Sequence, residues 1–175
     1  MTTGRPRETR KQPLTLGIDP GSRITGWGLV EKRGSGVAWL DSGVIRVGAG
    51  GSRPERLAQL KQGIDEVIAN HRPGVVAVER IFMARNPRST LVLGEARGVL
   101  LLAAAEAGLP VREYAPREVK MSVVGTGSAN KSQVASMISA LIGMQRAPAT
   151  EDETDALAVA FCHLLRVSGP VGRLT

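Results

Sequence analysis

The chain's 175 residues, 42% apolar and 22% charged with only 3% aromatic, suffice to bury one aliphatic core and are too few for two comfortable domains. Cys162 is the only cysteine, which excludes an intrachain disulfide and any multi-cysteine zinc or iron–sulfur site. The net charge of +7 is uneven: residues 80–146 hold nine basic residues against four acidic, and residues 147–175 hold two against four.

Residues 1–13 carry Arg5, Arg7, Arg10 and Lys11 without apolar periodicity and are expected to form a disordered basic leader. They lack the apolar core of a signal peptide, and the location expected is the cytoplasm. At Leu14, Leu16 and Ile18 apolar residues alternate with Thr15, Gly17 and Asp19, a strand pattern that stops at Pro20-Gly21. Residues 24–31 and 37–47 read as two further strands joined by the short link Lys32–Gly36, giving an antiparallel meander.

A helix is expected next. Ser52 and Glu55 stand at capping-box spacing, Leu57, Leu60, Ile64, Val67 and Ile68 recur at helical intervals, and Arg72-Pro73-Gly74 ends it, with His71 expected as a C-terminal cap. The apolar run 75–78, ending in Glu79, reads as a strand covered on both faces. A long helix is expected from about Ser89 to Ala107. Its stretch 91–109 is the most apolar in the chain, yet it carries Glu95, Arg97 and Glu106 and is no membrane span. A fifth strand at 111–115 precedes helices at about 116–124, 131–142 and 151–167, the last with a capping box in Thr150 and Glu153. Residues 14–168 therefore form one domain followed by a tail at 169–175. The order predicts an α/β fold of ribonuclease H-like arrangement, a five-stranded mixed sheet with helices on both faces.

Two strands stop at an acid, Asp19 and Glu79. Asp152 and Asp155, spaced i and i+3, share one face of the last helix. If the helix end meets the strand ends, four carboxylates share a crevice that suits hard divalent ions, Mg²⁺ above all. Two such ions activate water and stabilise the departing oxygen in phosphoryl displacement. Taken singly, Asp19 before Pro-Gly also reads as a turn residue and Asp152 as a complement to the helix dipole. Spacing alone leaves a nuclease and a carboxylate-rich ATPase both open. His163 and Cys162 read as structural, and the basic middle of the chain reads as a polyanion-binding face or as a solvated surface.

The blocks LGIDPGSRITGWGLVE (16–31), VAVERIFMARNPRS (76–89), GEARGV (94–99), VGTGSANKSQV (124–134) and DETDALAVAFCH (152–163) together resemble the RuvC family of Holliday junction resolvases. The resemblance implies a homodimer that cuts four-way DNA junctions with two symmetric nicks, leaving 5′-phosphate and 3′-hydroxyl ends. It implies two Mg²⁺ per subunit, replaceable by Mn²⁺, on Asp19, Glu79, Asp152 and Asp155. It also implies a mild preference for cutting at a TT step and contact with the RuvA–RuvB branch-migration machinery. Phe82 then falls where the family probes the junction centre. Arg85, Asn86, Arg88, Lys120 and Lys131 fall among DNA-contacting positions, Lys131 also at a catalytic one. The helix with Gly94 and Gly98 falls at the dimer contact. A YqgF-type RNA nuclease and a non-catalytic junction-binding protein are the rival readings.

Overall fold

Strand β1 (Thr15–Asp19) is flanked by the antiparallel β2 (Ile24–Arg33) and the parallel β4 (Val75–Glu79), which places it at the centre of the sheet. A computed structural model describes residues 13–80, 87–128 and 130–168. With β3 (Gly36–Arg46) beyond β2 and β5 (Val111–Tyr114) beyond β4, the order is β3-β2-β1-β4-β5. The meander β1-β2-β3 is antiparallel and β4-β5 is parallel, the mixed sheet that the sequence predicts.

Helices α1 (Arg53–His71) and α2 (Pro87–Glu106) cover one face of the sheet. There Leu16, Ile18, Leu29, Val76 and Val78 pack against Leu60, Ile64, Ala96 and Leu100. On the other face lie α3 (Pro116–Val124), α4 (Lys131–Leu141) and α5 (Glu151–Ser168). Val30, Ala77, Val119, Val134, Ile138 and the apolar stripe of α5 form the core there. This two-sided cover buries Thr15 and Gly17 along with their apolar neighbours.

α5 crosses the sheet at backbone contact. A Cβ on Gly17 would stand 2.0 Å from the Ala156 carbonyl oxygen, and one on Gly26 would stand 1.9 Å from that of Asp152. Among the described residues no helix is long and apolar enough to cross a membrane.

Three local expectations need correction or refinement. His71 is not the cap of α1: Arg72 occupies the left-handed position (φ 48°) and its N–H donates to the Ile68 carbonyl. His71 instead lies 3.4 Å from the Asp41 carboxylate with its ring against Trp27. The Thr150–Glu153 capping box is only half formed. Thr150 Oγ1 accepts from the Glu153 N–H at 3.1 Å, but the Glu153 carboxylate is buried and accepts from the Ala149 N–H, one residue upstream of Thr150. α2 begins at Pro87, two residues early, because proline suits the first turn of a helix. By contrast, at α1 the Glu55 carboxylate accepts from the Ser52 N–H at 2.7 Å, as expected.

Candidate active site

The register of β1 and β4 pairs Ile18 with Val78, so the next residues, Asp19 and Glu79, stand side by side at the carboxyl ends of adjacent parallel strands. Ligands bind at that edge of an open α/β sheet. The first turns of α5 bring Asp152 and Asp155 to the same edge, because Gly26, the β2 partner of Asp19, lets the Asp152 backbone touch the sheet.

Electrostatics record the convergence. Burial, then the charges of Asp155, Glu79 and Asp152, push the Asp19 carboxyl up to about 7, against a smaller opposing pull from Lys131. Burial and then Asp155 raise Glu79, with Lys120 and Lys131 opposing. Burial also raises Asp155, although Lys131 pulls it down. Crowded carboxylates behave in this way when no cation joins them.

Lys131 Nζ reaches Glu151 at 3.1 Å and Asp155 at 3.4 Å, and the bond to Glu151, then the charge of Asp155, raises its own pKa. Glu79, Asp155, Lys120 and Lys131 line one cavity of about 320 Å³, whose apolar walls are Pro116, Val119, Val134 and Ala158. Another cavity, of about 420 Å³ between β3 and α1, holds none of the four acids.

Among the described residues, no three acidic, imidazole or thiol side chains converge tightly enough, as they stand, to enclose a metal ion. The donor set nevertheless fits one: four oxygen-bearing acids, three of them with raised pKa, are the hard ligands that Mg²⁺ takes.

Of the other candidates, Arg88 is exposed in the first turn of α2, and Lys120 is half-buried on α3 beside the acids. Phe82, Arg85 and Asn86 lie outside the described residues. His163 is buried, its Nδ1 2.6 Å from the Tyr114 hydroxyl, and burial, then the charge of Arg112, holds its pKa down to about 4. It is structural, as expected, and so is the buried Cys162. Gly125 ends α3 in the left-handed region (φ 77°), and the Ser128 N–H of that loop donates to Thr126 Oγ1 at 3.4 Å.

The family model described as "Crossover junction endodeoxyribonuclease RuvC" matches residues 15–163, from the first residue of β1 to the last turns of α5. This chain belongs to the RuvC family. It is 49% identical over 159 residues to the crossover junction endodeoxyribonuclease RuvC of Chlorobaculum parvum, covering 91% of this chain and 85% of that one. The RuvC of Marinobacter nauticus is 51% identical over 152 residues, covering 86% and 85%. Among solved structures, the RuvC of T. thermophilus in complex with Holliday junction substrate superposes with a TM-score of 0.82 at 35% identity, covering 87% of this chain and 93% of that one. The yeast mitochondrial Holliday junction resolvase Ydc2, at 17% identity and a TM-score of 0.61, shares the fold.

Two features escaped the sequence reading. One is the glycine track Gly17, Gly26 and Gly28 beneath α5, whose signal lay in the glycines themselves within two strand patterns. The other is Glu153, whose burial nothing in the capping-box spacing discloses.

Proposed function

We propose that this chain is a Mg²⁺-dependent, structure-selective endodeoxyribonuclease that resolves four-way DNA junctions as a homodimer, with Asp19, Glu79, Asp152 and Asp155 as its metal ligands. The observation that carries the reading is the placement of Asp19 and Glu79 at the carboxyl ends of adjacent parallel strands, with the start of α5 seated on Gly26 beside them; the raised pKa of the half-buried Asp19 agrees with it. Membership of the RuvC family names the substrate. Held by these acids, two divalent ions would supply an activated water and charge stabilisation for the departing oxygen.

The chain's own residues do the rest. Asp19, whose carboxyl feels the charges of Asp155, Glu79 and Asp152, would hold the ions together with Glu79 and the α5 pair. Lys131, salt-bridged to Asp155 at 3.4 Å, would be free to contact a strand phosphate once a cation held that carboxylate. Lys120 lies on the same cavity and holds the neighbouring phosphate. Arg85, Asn86 and Arg88 contact the backbone near the crossover, and Phe82 stacks on an unpaired base there. Each such stack is worth about 1–3 kcal/mol, enough to favour a distorted junction over continuous duplex.

A junction has approximate two-fold symmetry and one subunit supplies one crevice, so paired cuts call for an isologous dimer. The outer face of α2 supports this. Leu91 and Leu102 are 61% and 53% exposed, and a Cβ on Gly94 or Gly98 between them would meet no atom within 4 Å. A second α2 fits that apolar, indented surface. Contact with the RuvA–RuvB machinery rests on the family resemblance alone.

The deciding experiment compares a synthetic four-way junction with a linear duplex of the same sequence, with and without Mg²⁺. Paired, Mg²⁺-dependent nicks in the junction alone are expected. Equal cutting of the duplex, cutting of RNA instead, or binding without any cut overturns the proposal.

A further inference from the structure

Glu153 is wholly buried in the first turn of α5, between Asp152 and Asp155. Its Oε1 accepts from Ser42 Oγ at 2.6 Å and from Arg146 Nη2 at 2.5 Å, and its Oε2 accepts from the Ala149 N–H at 2.5 Å. The partners are themselves tied down. Ser42 Oγ also accepts from Trp39 Nε1 at 2.8 Å, Arg146 Nη2 donates to the Ser42 carbonyl at 3.0 Å, and the Arg146 guanidinium lies over the Trp39 ring. The Trp39 N–H donates to the Ile142 carbonyl. One carboxylate thus joins the edge strand β3, the link from α4 to α5, and the start of α5.

Stability does not require this arrangement, since a buried ion pair is often no better than an apolar pair of the same volume. Hydrogen bonds add direction. The contacts at Gly17 and Gly26 set how close α5 lies to the sheet, but glycine offers no side chain to resist a roll of the helix about its axis. At 3.6 residues per turn, Asp152 and Asp155 emerge about 100° and 160° round the helix from Glu153, on the same side. Side-chain ends lie about 5–6 Å from a helix axis, so a roll of about 10° moves each carboxylate by roughly 1 Å. Metal–ligand distances tolerate only about 0.2 Å.

We propose that Glu153, gripped by Ser42, Arg146 and the Ala149 N–H, is a positioning residue that fixes the roll of the first turn of α5 and so aims Asp152 and Asp155 at the metal. This rests on the reading of those two aspartates as metal ligands. Glu153 touches no substrate; it acts through its neighbours in the chain.

The test is Mn²⁺ binding to the full chain without DNA, followed by the resonance signal of the free ion. The double variant Arg146→Met with Glu153→Leu replaces the pair by apolar groups of similar size and is expected to unfold cooperatively in the wild-type range. Its Mn²⁺ affinity is expected to fall by about tenfold, the lower end of what supporting residues of metal sites contribute. Junction affinity in metal-free buffer stays unchanged. Wild-type Mn²⁺ affinity in the folded double variant overturns the proposal. Should that variant fail to fold, Ser42→Ala decides the question. Weaker Mn²⁺ binding, restored by Ser42→Thr, is expected, and unchanged binding overturns the proposal. Asp155→Asn is run alongside. If it leaves Mn²⁺ binding intact, the metal-ligand reading fails, an outcome separate from failure of the Glu153 arrangement alone.

Discussion

A single methyl group at Gly26 tests how the site is assembled. In Gly26→Ala the new Cβ would stand 1.9 Å from the Asp152 carbonyl oxygen, 2.2 Å from its carbon and 2.8 Å from the Glu153 nitrogen. All three are backbone atoms, so no side-chain rotation relieves the clash. Restoring ordinary contact at 3.4 Å moves the first turn of α5 outward by about 1.5 Å. A displacement of about 1 Å at a reacting centre costs about a hundredfold in rate. Overpacking of this kind costs about 1–3 kcal/mol of stability. Asp152 is carried by the displaced turn, whereas Asp19 and Glu79 stand on strands that do not move. Single-turnover nicking of a synthetic junction is therefore expected to fall about a hundredfold, while junction binding in metal-free buffer stays within about twofold, since phosphate contacts set affinity. Denaturant unfolding of the same variant reads the stability loss. A Gly26→Ala protein that cuts at the wild-type rate refutes the claim that close approach of α5 to β2 builds the site.

Asp19→Asn removes the carboxylate that all the others crowd. Nicking is expected to be lost while metal-free junction binding persists, measured by gel shift and product gels on one substrate. Leu102→Glu places a charge on the exposed apolar face of α2, where it costs the folded monomer little. Sedimentation is expected to show a monomer, and junction cleavage to lose its paired nicks; a dimer of wild-type affinity refutes the assigned interface.

His163 sets an acid limb of stability. Its folded pKa, near 4, lies below the ordinary 6.5, so between those values the unfolded chain holds the extra proton. Its contribution is whole above pH 6.5 and drains away as the pH falls to about 4. His163→Gln is expected to flatten that limb in denaturant midpoints taken across the range, and an unchanged slope refutes the assignment.

Much of the proposed site was legible because the patterns that place its residues are local. Asp19 and Glu79 each end an apolar strand, and Asp152 and Asp155 share a helix face at i and i+3, patterns that depend on few residues. Ser52 and Glu55 capped α1 as their spacing requires, since a capping box closes within one turn. The same motif misled at Glu153, because the competing partners, Ser42 and Arg146, come from elsewhere in the fold. His71 failed as a cap because Arg72 took the left-handed position, leaving His71 beside Asp41 with its ring against Trp27.

The order of residues along the chain determined by itself that β4 is covered on both faces, which segments form helices, and which acids are available. Hydrophobic period and turn chemistry act over a few residues, so they are written locally. Only the tertiary structure decided that Asp19 meets three other acids, that α5 rests on bare glycine backbone, and that Glu153 is an anchor instead of a cap. Those are contacts between segments far apart in sequence, and their energies depend on burial and distance, which exist only once the chain has folded.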